Sequence, residues 1–92
     1  MKSVTIDLTN IHTPRAAHVY IGFRLGFPAH YGRNLDALHD MLGEISEPTQ
    51  LIIRRPAELP PEIAAYFPRL ALLLHDVQAE NENLEVLAEI TE

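Results

Sequence analysis

The chain is 92 residues long, with 47% hydrophobic and 22% charged residues, which is typical of a single small globular domain covering residues 1–92. Thirteen Asp and Glu against seven Lys and Arg give a formal net charge of -6, which argues against direct binding of nucleic acid or an anionic membrane and favours a basic protein partner. The absence of cysteine excludes a disulfide framework, a thiolate nucleophile and a cysteine-based zinc site. No signal peptide or membrane span is predicted, so we expect a cytoplasmic protein.

The first third of the chain predicts a strand, a helix and a loop. Apolar and polar residues alternate over residues 3–8, which is the period of a half-buried strand. Asn10 or Thr13 then offers an N-cap for a helix that Gly26 ends. Proline and glycine in residues 27–32 predict a loop there.

The remainder predicts a second helix, a strand, a third helix and a final strand. Asn34 is a suitable N-cap for a helix whose apolar stripe consists of Leu35, Leu38, Met41, Leu42 and Ile45. Residues 49–53 read as a short buried strand. Residues 63–67 suggest one or two helical turns, and Pro68 is expected to open the third main helix. Residues 84–90 alternate again as a strand.

The order β-α-α-β-α-β predicts an α/β fold. Because helices separate the strands, the strands are expected to be parallel, and the simplest architecture is a three-stranded parallel sheet packed against three to four helices. Right-handed crossovers leave few topologies for such a chain.

Catalytic and metal-binding chemistry is poorly represented, so we predict neither an enzyme nor a cofactor. The two serines lie outside any strand-turn-helix elbow, and the glycines match neither phosphate-binding pattern. A small hydrolase using His39 and Asp40 is the remaining enzymatic alternative, but adjacent helical residues diverge by about 100°. His39 with Asp36 or Asp40 would make at most a weak surface metal site, and the five histidines are expected to be scattered and exposed.

The predicted second helix carries acidic residues along its outer face. Asp36, Asp40 and Glu44 are spaced four apart, with no Lys or Arg on the same helix. Like charges at this spacing destabilise a helix by a few tenths of a kcal/mol per pair (about 0.2–0.5). Two interpretations remain open from the pattern alone. The face is either an ordinary solvated surface, with Arg33 pairing Asp36, or an array of carboxylates kept free for the cations of a partner.

Residues 27–42, with the sequence FPAHYGRNLDALHDML, resemble the loop-and-helix signature of the barstar family of intracellular ribonuclease inhibitors. The pattern Tyr-Gly-x-Asn-Leu-Asp-Ala-Leu-x-Asp is ungapped over residues 31–40, and the rest of the chain agrees in length and element order. The resemblance implies a compact α/β domain with a three-stranded parallel sheet. It also implies that the second helix and the loop before it enter the active site of a barnase-type ribonuclease.

The resemblance further implies roles for individual residues. Asp40 would occupy the phosphate site of the nuclease, Asp36 would support it, and Asp76 would be a second interface carboxylate. The predicted partner-binding residues are His30, Tyr31, Gly32, Asp36, His39, Asp40, Gly43, Glu44, Ile45, Glu47 and Asp76.

Three departures from the family pattern favour a basic partner in general over barnase itself. His30 and His39 stand at aromatic positions of the family, and Arg33 replaces an acidic residue. The alternative function is an immunity or regulatory module whose basic partner is not a nuclease. A self-associating structural domain is a third possibility, but no exposed apolar patch is expected beyond Phe27 and Ile45, so a monomer is expected for the free protein.

Overall fold

Strands and helices follow one another in the order β-α-α-β-α-β, which confirms the predicted α/β class. The computed structural model describes residues 1–91. Its elements are β1 (Lys2–Asp7), α1 (Pro14–Leu25), α2 (Leu35–Gly43), β2 (Thr49–Pro56), α3 (Pro61–Glu80) and β3 (Leu84–Thr91). Within residues 1–91, no helix combines the length and the apolar character needed to cross a membrane.

The three strands form one parallel sheet in the order β1-β2-β3, with β2 in the centre. Alternate residues of β1 and β2 are buried, whereas most of those between them are half-buried or exposed, so the helices cover one face of the sheet. The covered face and the helices share an aliphatic core that includes Ile6, Leu38, Leu51, Leu70 and Val77. Burial of these side chains provides most of the driving force for folding.

The opposite face of the sheet, here called the open face, carries polar side chains that bond to each other across the strands. Ser3 Oγ donates to Gln50 Oε1 over 3.2 Å, and Gln50 Nε2 donates to Glu85 Oε1 over 3.3 Å. Arg54 forms an ion pair of 3.1 Å with Glu89. Parallel sheets are usually covered on both faces. Here the cross-strand bonds make much of the uncovered face polar, with Leu87 exposed between Glu85 and Glu89.

The third helix differs from the sequence prediction of a short helical turn followed by a helix opening at Pro68. α3 runs unbroken through Pro68. The proline removes one helical hydrogen bond, to the carbonyl of Ala64, and Ala64 is exposed, so water can reach that carbonyl. Ile63 before the proline and Leu70 after it are both buried in the same core, and their burial outweighs the lost bond. Residues 1–91 therefore contain three helices.

The central strand is longer than the predicted residues 49–53. β2 continues to Pro56, which pairs with Thr91 of β3. The cross-strand ion pair between Arg54 and Glu89 supports this extension. The missing N–H of Pro56 is tolerated because it falls at the end of the strand.

His18 contradicts the expectation that all five histidines are exposed, since only 2% of its surface is accessible. Its Nδ1 lies 2.7 Å from Tyr31 Oη, and its Nε2 lies 2.7 Å from Tyr66 Oη. A neutral imidazole donates from one nitrogen and accepts at the other, so both ring nitrogens are satisfied in the interior. Burial lowers the pKa of His18, which favours this neutral form.

The exposed apolar side chains are not those expected from the sequence. Phe27 and Ile45 are half-buried and pack against the core. Phe27 folds inward because its N–H donates to the Gly22 carbonyl over 2.9 Å and its ring lies edge-on to Tyr31, with centroids 4.9 Å apart. The large exposed apolar residues are instead Met1, Val19, Phe23, Leu72, Leu87 and Ile90.

Candidate partner-binding site

Helix α2 is held firmly at its start and along its inner side. The Asn34 Oδ1 atom accepts the Ala37 N–H over 2.8 Å, which confirms Asn34 as the N-cap. Leu38 and Leu42 are fully buried against the sheet and the other helices. Asp36 lies in the first turn, where the helix dipole favours a negative charge.

The end of α2 comes earlier than the predicted acidic spacing implies. The helix ends at Gly43, Glu44 is the C-cap, and Ile45 lies beyond the helix. The Asn81 Nδ2 atom donates to the carbonyls of Leu42 and Ile45, each over 3.0 Å. These bonds tie the end of α2 to the residue that follows α3. Because the helix ends at Gly43, only two of the three predicted acidic residues lie within α2.

Asp36 and Asp40 are both exposed, and neither is neutralised by the protein's own cations. Within residues 1–91, the side chains at ion-pair distance are Arg54 with Glu89 and the imidazole of His39 with Glu80. Arg33 does not pair with Asp36. It is exposed in a left-handed backbone conformation, with φ of 54°.

A groove of about 300 Å³ lies between α2 and α3 and brings together residues that are distant in sequence. It is lined by Leu35, Asp36, His39, Arg69, Leu72, Leu73 and Asp76. The groove therefore joins Asp36 and His39 of α2 to Asp76 of α3. Glu80 does not line the groove, but its Oε2 lies 3.3 Å from His39 Nε2.

Three residues around this groove were missed by sequence reasoning, namely Arg69, Leu72 and Glu80. Leu72 is 61% exposed because it falls outside the buried stripe of Leu70, Leu73, Leu74 and Val77. That helical spacing is a signal that could have identified Leu72 as a surface residue. Neither Arg69 nor Glu80 stands out in the sequence, because their relevance comes from the packing of α3 against α2.

The loop before α2 presents one side chain of the predicted set and buries another. His30 is exposed, whereas Tyr31 is buried with its hydroxyl bonded to His18. Burial raises the pKa of Tyr31 to about 12, so the phenol stays neutral. A Cβ atom at Gly32 would lie 3.2 Å from Asn34 Nδ2 and 3.3 Å from the Ala37 Cβ, so glycine lets the loop pass close to the start of α2.

The predicted residues after α2 line a different groove, of about 260 Å³. Glu44, Ile45 and Glu47 lie there together with Lys2 and Phe27. Six of the predicted residues line one of these two grooves, three in each, whereas Asp40 lines neither and lies exposed on α2. Gly43 is exposed just before it, and a Cβ atom there would point into open space.

Sequence comparison assigns the chain to a family. A family model described as barstar (barnase inhibitor) matches residues 1–91. The chain belongs to the barstar family. This is a family of inhibitors, not of catalysts, and its members bind a ribonuclease as protein partner. No curated protein matches the chain in a sequence search.

In this barstar-family chain, the exposed aspartates of α2 are hydrogen-bond acceptors. Ionised carboxylates accept strong charge-assisted bonds from guanidinium and ammonium groups, and Asp36 and Asp40 have no such donor within residues 1–91. No group of three or more metal-ligating side chains forms among the described residues. The geometry suits a cationic protein surface as ligand.

Proposed function

We propose that the protein inhibits a basic ribonuclease by placing α2 and the preceding loop in its active-site cleft. The observation that carries the proposal is the state of Asp36 and Asp40, which are exposed, one helical turn apart and free of the chain's own cations. A ribonuclease cleft concentrates positive charge because it must hold the phosphates of RNA. A carboxylate on a rigid helix can take the place of phosphate there, and it offers no bond to cleave.

The acidic residues have distinct roles in this proposal. Asp40 binds at the phosphate site, and Asp36 makes supporting charge-assisted bonds one turn earlier. Asp76 reaches the same nuclease surface from α3, across the groove that it lines with Asp36 and His39. The half-buried His39 contacts the rim of the cleft.

The loop and the end of α2 complete the proposed interface. His30 contacts the nuclease, and Gly32 lets the loop lie close to α2. Tyr31 is buried, so its role is to hold the loop through its bond to His18. Contacts at the periphery are made by Gly43, Glu44, Ile45 and Glu47.

The charge of the whole chain suits this role. A net charge of -6 attracts a basic nuclease from a distance and speeds the encounter. We further propose that the chain is a single domain, monomeric when free, and acts as a cytoplasmic antitoxin without a cofactor, nucleic acid or membrane ligand.

The test is protection of RNA against purified basic bacterial ribonucleases, with barnase among them. The wild-type protein is expected to inhibit at least one of these enzymes at equimolar concentration. The double variant Asp36→Asn/Asp40→Asn is expected to lose this inhibition. A matched variant, Glu58→Gln/Glu62→Gln, removes the same two charges at exposed positions outside the proposed site and should keep it.

Two outcomes would reject the proposal. Full inhibition by the Asp36→Asn/Asp40→Asn variant would show that α2 does not occupy the cleft. If no ribonuclease is inhibited while another basic protein binds at α2, the alternative of a non-nuclease partner is correct.

A further inference from the structure

An exposed apolar ridge runs along α1, away from the acidic residues of the proposed site. Phe23 is 82% exposed and Val19 is 46% exposed, and they lie one turn apart on the same side of the helix. The ridge separates two surface grooves. The larger, of about 540 Å³, is lined by Thr13, Arg15, Ala16, Val19, Tyr20 and Phe23. Single exposed apolar residues are common, but a ridge with a groove on each side is the form of a protein contact surface.

The smaller groove connects this ridge to the loop before α2. It measures about 140 Å³ and is lined by residues of α1 and of the loop, namely Val19, Gly22, Phe23, Phe27, Pro28, Ala29, Tyr31 and Arg33. The exposed His30 belongs to the same loop. A partner that contacts this loop therefore meets the α1 ridge without a break in the surface.

The charge around the ridge is opposite to that of the rest of the chain. Residues 8–35 contain Arg15, Arg24 and Arg33 and no acidic residue, whereas the remaining sequence has 13 acidic and four basic residues. Arg24 is used internally, because its Nε donates to the Thr5 carbonyl over 3.2 Å. Arg15 and Arg33 are exposed and form no ion pair within residues 1–91. A wholly basic partner surface would repel them.

We infer that Arg15, Val19 and Phe23, together with Arg33, form a second contact surface for the same ribonuclease, which fits an apolar patch flanked by carboxylates beside the basic cleft. This inference rests on the proposed function. Aromatic and arginine side chains are the types most enriched at the energetic centres of protein interfaces. The surface would restrict the inhibitor to ribonucleases that combine a basic cleft with an acidic and apolar rim, so it would determine specificity.

The first test replaces the aromatic ring. Phe23→Gln keeps a good helix-forming residue on α1, and Ile90→Thr removes a similarly exposed apolar side chain from β3 as control. Phe23→Gln is expected to weaken inhibition of the sensitive ribonuclease by at least roughly fivefold, mainly through faster dissociation. Ile90→Thr should leave inhibition unchanged, and thermal unfolding should confirm that both variants are folded.

The second test separates local contact from overall charge. Arg15→Gln and Ala57→Glu each make the net charge more negative by one, and both positions are exposed. If only long-range attraction to a basic nuclease mattered, both changes would speed association equally. The inference predicts instead that Arg15→Gln weakens binding by roughly two- to fivefold, the range for an exposed ion pair, whereas Ala57→Glu does not.

The outcomes distinguish this inference from the proposed function. If the Asp36→Asn/Asp40→Asn variant loses inhibition while Phe23→Gln and Arg15→Gln bind like wild type, the α1 surface is rejected and the proposed function stands. If no ribonuclease is inhibited, both are rejected. A free wild-type dimer that Phe23→Gln converts to monomer would show that a second copy of the chain covers the ridge, which also rejects the inference.

Discussion

Two surfaces of this small protein carry two or more carboxylates each. The carboxylates have partners among the described residues on one surface and none on the other. On the open face of the sheet, Glu89 is paired with Arg54 and Glu85 accepts a hydrogen bond from Gln50. On α2, Asp36 and Asp40 are left without a partner within residues 1–91. Both surfaces are exposed, so solvation alone does not account for the difference.

Asp7, at the end of β1, shows how completely the open face satisfies its acidic groups. Its Oδ1 accepts bonds from the hydroxyl and the N–H of Thr9, and these bonds, the hydroxyl first, lower the pKa of Asp7. Lowering of this kind stabilises the fold above the ordinary carboxyl pKa, and the contribution is lost as pH falls. Carboxylates satisfied by the chain itself contribute to the stability of the fold, whereas those of α2 remain available to a partner.

The largest expected effect comes from replacing one carboxylate of α2, with one carboxylate of the open face replaced as the matched control. Asp40→Asn should weaken inhibition of the target ribonuclease by at least roughly 30-fold, the scale of an interface hot spot. Thermal stability should stay the same or rise slightly, because the change relieves the repulsion between Asp36 and Asp40. Glu89→Gln removes the same charge from the open face and should have the reverse pattern, with intact inhibition and a slightly lower unfolding temperature. Inhibition titrations and thermal scans on both variants measure this. Equal loss of inhibition in the two would show that only net charge matters.

The buried His18, whose ring nitrogens are bonded to two tyrosine hydroxyls, should make the stability of the fold depend on pH. Burial lowers the pKa of His18 from its ordinary value of 6.5, so below that pH the unfolded chain binds a proton that the folded chain does not. The free energy of unfolding should therefore fall as pH drops from 6.5 to 5, by at most about 1.4 kcal/mol per pH unit. Urea titrations at several pH values measure the slope.

The matched variant for this measurement is His18→Gln, which cannot titrate. Its overall stability will be lower because the amide fits the two tyrosine hydroxyls less well. Its stability should nevertheless fall less steeply with pH than that of the wild type. Parallel slopes in the two proteins would mean that another group is responsible for the loss.

Most of the fold could be predicted because it depends on local sequence. Alternation identified β1 and β3, Thr13 (one of two candidate caps) and Gly26 bound α1, and Asn34 marks the start of α2 but not its end. The errors arose where distant contacts override local preference. Pro68 predicts a helix start, but burial of residues on both sides of it keeps α3 continuous. The length of β2 depends on pairing with β3, about 35 residues away in the chain.

Part of the candidate site likewise follows from local sequence, and part depends on distant contacts. The helical spacing predicted that Asp36 and Asp40 lie on an outward face, because that follows from the geometry of one helix. The groove that adds Asp76 and Leu72 requires knowledge of how α3 packs on α2. The burial of His18 depends on tyrosines 13 and 48 residues away, so no local pattern reveals it.

A smaller effect, on the free energy of unfolding, is expected from the side-chain hydrogen bonds that hold the end of α2. Asn81 Nδ2 donates to the carbonyls of Leu42 and Ile45, and its Oδ1 accepts the Asn83 N–H, so Asn81→Ala removes three hydrogen bonds. We expect a loss of about 1–2 kcal/mol in the free energy of unfolding, measured in urea. Asn83, whose amide reaches the Ile45 carbonyl over a longer 3.5 Å, is the comparison residue, and Asn83→Ala should have a weaker effect. An equal loss in both variants would argue that the Asn81 bonds do not specifically hold the end of α2.

The smallest effect is expected from the open face itself. Arg54→Gln breaks the exposed pair with Glu89, and exposed pairs contribute only about 0.2–1 kcal/mol, so the unfolding temperature should fall slightly. High salt screens the pair in the wild type, so the difference between the two proteins should shrink as ionic strength rises. Inhibition should not decrease, since the change makes the chain more acidic and leaves α2 untouched. Weaker inhibition by Arg54→Gln at unchanged stability would place the open face in the binding surface and remove the distinction between the two kinds of carboxylate.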